Sequence, residues 1–189
     1  MQKPTPARKS GMADFHSLIE HETPRLRRYA RALTRSGDRA DDLVQETLLR
    51  AIAKCHMWQP GTNIRAWLFT IMHNQYVNMV RRAIRDEATV DIEEMSSSLV
   101  ATTDPTASRQ LRELERALGR LRGEQREVIL LVGMEGMSYE TAAQILSVPI
   151  GTVRSRLSRG RDALCRLMDL PVSSCSETEA ERKRAAFAA

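Results

Sequence analysis

The stretch SYETAAQILSVPIGTVRSRLSRGRDAL, residues 138–164, decides the reading of this chain. Ser138 is placed to cap a short helix, with Thr141 in its first turn. Ala142, Ala143, Ile145 and Leu146 give that helix a buried side, and Ser147-Val148-Pro149 reads as a tight turn. A second helix follows, apolar at Ile150, Val153, Leu157 and Leu164, with Gly160 filling the gap in the series. At about 100° per residue, its opposite side carries Gly151, Thr152, Ser155, Ser158, Arg159 and Asp162, flanked by Arg154, Arg156 and Arg161. Helix, turn and arginine-faced helix spell a helix-turn-helix. Small residues let such a helix approach the major groove closely, and Arg can make two hydrogen bonds to guanine. The helix start at Ile150–Thr152 is suited to a phosphate. One position departs from the motif: the turn residue most often Gly is Ser147. The same pattern also fits an ordinary solvated helix.

Upstream, helices are expected over about 106–121 and 124–134, and the second helix of the motif should run over 150–168. Before them, residues 86–108 (DEATVDIEEMSSSLVATTDPTAS) hold six acids and no Lys or Arg, without sustained periodicity, and read as a flexible acidic linker. The first 85 residues carry 15 Lys/Arg against 7 Asp/Glu, residues 109–170 carry 11 against 8, and the tail 171–189 balances at 3 each. Two basic blocks joined by an acidic spacer suit two contacts with a polyanion, although charge runs are also routine on solvated faces. The expected layout is an all-α chain with a disordered arm over 1–11, a helical domain over 12–85, the linker, a helix-turn-helix domain over 109–170 and a tail.

Within the first domain, a helix is expected from near Met12, and Thr23-Pro24 reads as a cap opening a second helix that ends near Leu33. Gly37-Asp38 breaks that helix and caps a third, from Arg39 to about Met57. On this third helix Val44, Thr47, Leu48, Ala51 and Cys55 form a core stripe. Asp42, Gln45, Glu46 and Leu49 share the opposite face. An acidic face gains nothing from phosphates and suits a basic protein partner, or simply water. Trp58–Thr62 reads as an exposed loop, and Asn63 caps a long helix to about Arg85. Its core stripe is Ile64, Trp67, Leu68, Ile71 and Met79, with Thr70, Asn74, Val77 and Arg81 on a ridge beside it. Asn and Thr near arginines could read an unpaired base edge, whereas Trp58 could equally pack down as core. Arg25, Arg27, Arg28, Arg31 and Arg35 add a basic run.

Composition excludes several classes. Aromatics are 4% of the chain, which disfavours a sandwich or barrel. No apolar run is long enough for a membrane span, and the N-terminus lacks the apolar core of a secretory signal, so a cytoplasmic protein without membrane insertion is expected. The odd, widely spaced cysteines Cys55, Cys165 and Cys175 argue against a disulfide framework, and nothing has zinc-ligand spacing. No nucleophile–base pair, Gly-rich phosphate loop or metal cluster suggests an enzyme, a cofactor or a small-molecule substrate. A stand-alone helix-turn-helix regulator remains the alternative, but such proteins usually carry a ligand or receiver module where residues 13–85 show only helices.

DDLVQETLLRA (residues 41–51) followed by NIRAWLFTIMHN (63–74) resembles regions 2.2 to 2.4 of extracytoplasmic-function sigma factors, and residues 121–164 resemble their region 4. The resemblance is nearest to the alphaproteobacterial general-stress-response branch. It implies that Asp42, Gln45, Glu46 and Leu49 dock on the coiled coil of the RNA polymerase β′ subunit. It implies that Trp58, Gln59, Thr62, Asn63, Thr70, Asn74 and Arg81 serve the −10 element, where a flipped base is captured. Ser138, Tyr139, Gly151, Thr152, Arg154, Ser155, Arg156, Ser158 and Arg159 would serve the −35 element in duplex form. The implied partners are core polymerase through its β′ and β subunits, promoter DNA, and an anti-sigma factor that covers the same surfaces.

Overall fold

A computed structural model describes the backbone over residues 6–86 and 105–170, and side chains over 15–85 and 109–170. Of the linker expected over 86–108, residues 87–104 lie outside the described residues, as do the first five residues and the tail, whereas residue 86 and residues 105–108 are helical. Among the described residues every regular element is helical: α1 (Pro6–Thr34), α2 (Gly37–Ala53), α3 (Ile64–Asp86), α4 (Pro105–Arg120), α5 (Gly123–Ile129), α6 (Tyr139–Leu146) and α7 (Ile150–Leu167). A 3-10 turn at Cys55–Met57 follows α2, and a π-helical turn at Leu130–Met134 extends α5. The chain divides into two compact units. The first holds α1–α3; the second holds α4, α5, α7 and the start of α6.

In the first unit α1 packs on α2 and α3, and α2 packs on α3. The two helices expected before residue 34 are one. Pro24 sits inside α1, and Thr23 does not cap a new helix: its hydroxyl donates to the carbonyl of Ile19 at 2.7 Å. An interior proline costs about 3 kcal/mol. Burial offsets that cost, because Phe15 and Ile19 before the proline and Leu26, Tyr29, Ala30 and Leu33 after it all lie in the core. Each large side chain buried in this way contributes about 1.5–3 kcal/mol. The helix also begins at Pro6 rather than near Met12. Extending an existing helix avoids the cost of nucleation, and proline is tolerated in a first turn.

The break before α2 is made by Arg35 in the left-handed region (φ 60°) and by Ser36, which replaces the expected Gly37-Asp38 cap. The Ser36 hydroxyl accepts from the backbone N–H of Arg39 at 3.4 Å. The buried face of α2 is Ala40, Leu43, Val44, Thr47 and Ala51, whereas Leu48 and Cys55 are only half-buried. On α3 the core positions are Ile64, Leu68, Phe69, Met72 and Gln75. Trp67, Ile71 and Met79, expected in the stripe, are half-buried. The stripe is rotated so that Phe69 enters the core, where its ring packs edge-on against that of Tyr29 with centroids 5.0 Å apart. The Glu22 carboxylate, nearly buried on α1, holds Arg65 of α3 at 2.9 Å and fixes the two helices together.

In the second unit α5 and α4 pack against α7. Val153, Leu157, Gly160 and Cys165 form the buried line of α7, while Ile150 and Leu164 are half-buried. Gly160 is the closest point of α5 and α7: a Cβ there would meet Ile129 Cδ1 at 2.8 Å and Gln125 Cβ at 3.2 Å. Buried Arg126 on α5 reaches back to the end of α4. Its Nε donates to the carbonyl of Leu118 at 2.8 Å, and its Nη2 donates to those of Gly119 at 2.8 Å and Leu121 at 3.1 Å. One guanidinium thus reaches three carbonyls around the end of α4, and that of Leu118 also accepts from Leu121 N–H at 3.2 Å. Against the sequence expectation, Cys165 is disulfide-bonded, whereas Cys55 is a free thiol.

The turn between α6 and α7 is a full Schellman closure. Val148 N–H donates to the carbonyl of Ala143 at 3.1 Å, Ser147 N–H donates to that of Gln144 at 3.3 Å, and Ser147 has φ 53°. A side chain in the left-handed region costs about 1–2 kcal/mol. Ser147→Gly is therefore expected to hold or raise the denaturant midpoint of unfolding, with the backbone entropy of Gly offsetting part of the relief. Ser147→Val should lower stability by roughly 1–2 kcal/mol. Equal midpoints for the two variants would show that the turn is not under this strain.

Candidate nucleic-acid and partner interface

On α2, Asp42, Gln45, Glu46 and Leu49 are all exposed and follow one another at helical spacing along one face. Glu46 Oε1 accepts from Arg50 Nε at 2.6 Å, which keeps the carboxylate extended along the helix. The face is longer and more apolar than expected. Ile52 lies three residues beyond Leu49 and is 45% exposed; Leu49 itself and Met57 of the 3-10 turn are each 63% exposed. The spacing of Ile52 from Gln45 and Leu49 could have revealed it in the sequence. Exposed apolar side chains beside carboxylates suit a protein partner, because an apolar patch of this kind gains from being covered.

The loop before α3 is a proline–glycine turn. Thr62 N–H donates to the carbonyl of Gln59 at 3.1 Å, its hydroxyl donates to the same carbonyl at 2.7 Å, and Gly61 has φ 86°. That is the geometry of a type II turn with Pro60 and Gly61 at its centre. Gln59 and Thr62 are exposed. Asn63 caps α3 as expected, its side-chain oxygen accepting from Ala66 N–H at 3.1 Å. Trp58 does not stand out from the loop. Its ring packs on Phe15 with centroids 5.3 Å apart, and Phe15 in turn meets Trp67 at 6.0 Å. The Trp58 indole nitrogen is buried with no hydrogen-bond partner among the described residues. Burying the ring outweighs leaving one N–H unpaired, so Trp58 supports the loop from beneath. On α3 the Thr70 hydroxyl donates to the carbonyl of Ala66 at 2.8 Å, and Asn74 and Arg81 are exposed on the same side.

On the helix-turn-helix, Ser138 caps α6 by accepting from Thr141 N–H at 3.1 Å. Glu140 follows in the first turn. Its carboxyl is held below the usual carboxylate range, first by its own backbone N–H, then by the Ser138 hydroxyl; desolvation opposes them, and the Arg154 guanidinium adds the smallest pull. Arg154 of α7 is exposed and stands over the Tyr139 ring, 5.9 Å from its centroid. Gly151, Ser158 and Arg159 are exposed, and Thr152 and Ser155 are half-exposed. The Ser155 hydroxyl donates to the carbonyl of Thr152 at 3.0 Å. Arg156 turns from the outer face toward α5, where its Nη2 meets Glu124 Oε2 at 2.9 Å. The capping residue of α7 is Pro149, which offers no side-chain acceptor to the helix start. Among the described residues no group of His, Cys, Asp or Glu could hold a metal ion, and no helix is long and apolar enough to cross a membrane.

A helix-turn-helix with outward arginines, on a chain whose other unit presents an acidic and apolar helix, defines a DNA-binding protein with a built-in protein-docking face. Two families match it: the "Sigma2 domain of PhyR" over residues 19–73 and "Sigma-70, region 4" over residues 111–164. The chain is 43% identical over 145 residues to the ECF RNA polymerase sigma factor EcfG of Rhodopseudomonas palustris, covering 77% of this chain and 80% of that one. It resembles the solved sigma factor RpoE, in complex with the anti-sigma factor NepR, from Bartonella quintana. That match has TM-score 0.72 and 39% identity over 82% of this chain and 97% of the other. It also resembles CnrH, solved with the cytosolic domain of CnrY, with TM-score 0.61 and 28% identity over 84% and 89% of the two chains. The chain belongs to the extracytoplasmic-function sigma factors of RNA polymerase. As such it binds core polymerase, directs initiation at specific promoters, and is not itself an enzyme.

Proposed function

We propose that the two units divide the work of promoter selection between them. The domain over 12–85 docks on the β′ coiled coil through Asp42, Gln45, Glu46 and Leu49, with Ile52 and Met57 extending the contact. Its turn at Gln59–Thr62, together with Asn63, Thr70, Asn74 and Arg81, receives the −10 strand, over a floor to which Trp58 belongs. Trapping an unstacked base there costs a few kcal/mol of unpairing, and the docked polymerase makes that affordable by raising the effective concentration of each site. The domain over 109–170 meets the β subunit and reads the −35 duplex. Arg154, Ser158 and Arg159 face the bases, Gly151 and Thr152 bring the α7 start close to a phosphate, and Ser138 and Tyr139 line the approach. Arg156 serves mainly to tie α7 to α5. The protein works in the cytoplasm, in a stress response, under a small helical anti-sigma factor that covers the α2 face.

The observation that carries this reading is the pairing of an exposed acidic–apolar face on α2 with exposed arginines on α7. Run-off transcription with purified core polymerase tests it on promoters altered one base at a time. Arg159→Ala is expected to cost roughly 1–3 kcal/mol at a single −35 position and to relax its specificity. A uniform loss on all promoters would make Arg159 a phosphate contact instead.

A further inference from the structure

Bidentate recognition of a base edge needs a guanidinium held in one plane, and an exposed arginine on a helix ordinarily samples many rotamers. Arg154 is not in that condition. Its guanidinium carbon lies 5.9 Å from the centroid of the Tyr139 ring, within the range of a cation–π contact, and the ring is half-buried at the start of α6. The two residues come from different helices of the motif, brought together by the Schellman turn at Ser147. We propose that Tyr139 is a positioning residue for −35 recognition: its ring is a platform that orients the Arg154 guanidinium for one base pair, and its hydroxyl is not needed.

This inference rests on Arg154 being a base-reading residue. Charge around the pair favours the same geometry. The neighbouring Glu140 carboxyl stays ionised, through its own backbone N–H and the Ser138 hydroxyl, and draws on Arg154 electrostatically.

The test is run-off transcription by the reconstituted holoenzyme, with all four base pairs at each −35 position, for wild type, Tyr139→Phe, Tyr139→Leu and Arg154→Ala. Thermal unfolding of each variant checks the fold. Tyr139→Leu should lower discrimination about two- to fivefold, the range of an exposed cation–π contact. The loss should fall at the single position where Arg154→Ala abolishes discrimination. Tyr139→Phe should match wild type, and adding Tyr139→Leu to Arg154→Ala should change nothing further. Wild-type discrimination in Tyr139→Leu would overturn the proposal. So would an equal loss at every position, or a Tyr139→Phe variant as poor as Tyr139→Leu, which would mark a direct hydroxyl contact with DNA. If Arg154→Ala leaves every position unchanged, Arg154 does not read a base, and the positioning role falls with that reading.

Discussion

The double variant Asp42→Arg, Glu46→Arg is expected to abolish binding to core polymerase while leaving the protein folded. Both carboxylates are exposed on α2, and neither is part of the packing against α1 and α3. The internal cost is small: Glu46→Arg replaces the 2.6 Å pair with Arg50 by two like charges at i, i+4, worth about 0.2–0.5 kcal/mol. The external cost is large, because placing two positive charges against a basic docking site costs several kcal/mol, or more than roughly 100-fold in affinity. Fluorescence anisotropy with labelled protein and purified core polymerase gives the affinity, and run-off transcription gives the consequence. Transcription that survives the double change would place the polymerase contact elsewhere in the first unit. Ile52→Asp, which attacks the apolar extension of the face, should weaken the same binding without changing promoter preference.

The second large effect concerns stability. Arg126→Met keeps the length and apolar stem of the side chain but removes all three donors to the end of α4. Hydrogen bonds from a charged group are worth about 1.5–3 kcal/mol each; the Leu118 carbonyl keeps the Leu121 N–H, while the buried bond to the Leu121 carbonyl is lost outright. Allowing for relaxation, a loss of roughly 3–4 kcal/mol is expected. A small domain shifts by about 4–8 °C per kcal/mol, so the second unit should melt more than about 12 °C lower. Arg126→Lys should restore little, because an ammonium cannot span three carbonyls as a planar fork does. Calorimetry of the full chain separates the cases: a lowered transition for one unit only is expected, and an unchanged profile would show that water replaces the guanidinium without loss. DNA binding through α7 should fall with the lowered transition while polymerase binding through α2 persists.

Much of this was legible in the sequence because it depends on local rules. The helix-turn-helix follows from a helical period on both sides of Ser147-Val148-Pro149, and Ser147 does adopt the left-handed conformation that the motif demands. Asn63 caps α3, Ser138 caps α6, and the face of Asp42, Gln45, Glu46 and Leu49 is exposed, each as periodicity and capping chemistry require. The family was legible for the same reason, since its motifs are local strings on those helices.

What the sequence could not decide by itself depended on neighbours distant in the chain. Thr23-Pro24 has the local chemistry of a helix start, yet α1 runs through it because the core on both sides of the proline outweighs the broken hydrogen bond. Trp58 has the chemistry of an exposed base-stacking residue, and only the position of Phe15 turned it inward. Arg156 could have faced DNA, and Glu124 on another helix drew it aside. Periodicity assigns a residue to a face of its own helix. Which face is buried, and which arginine is held rather than free, is settled by what the other helices place against it.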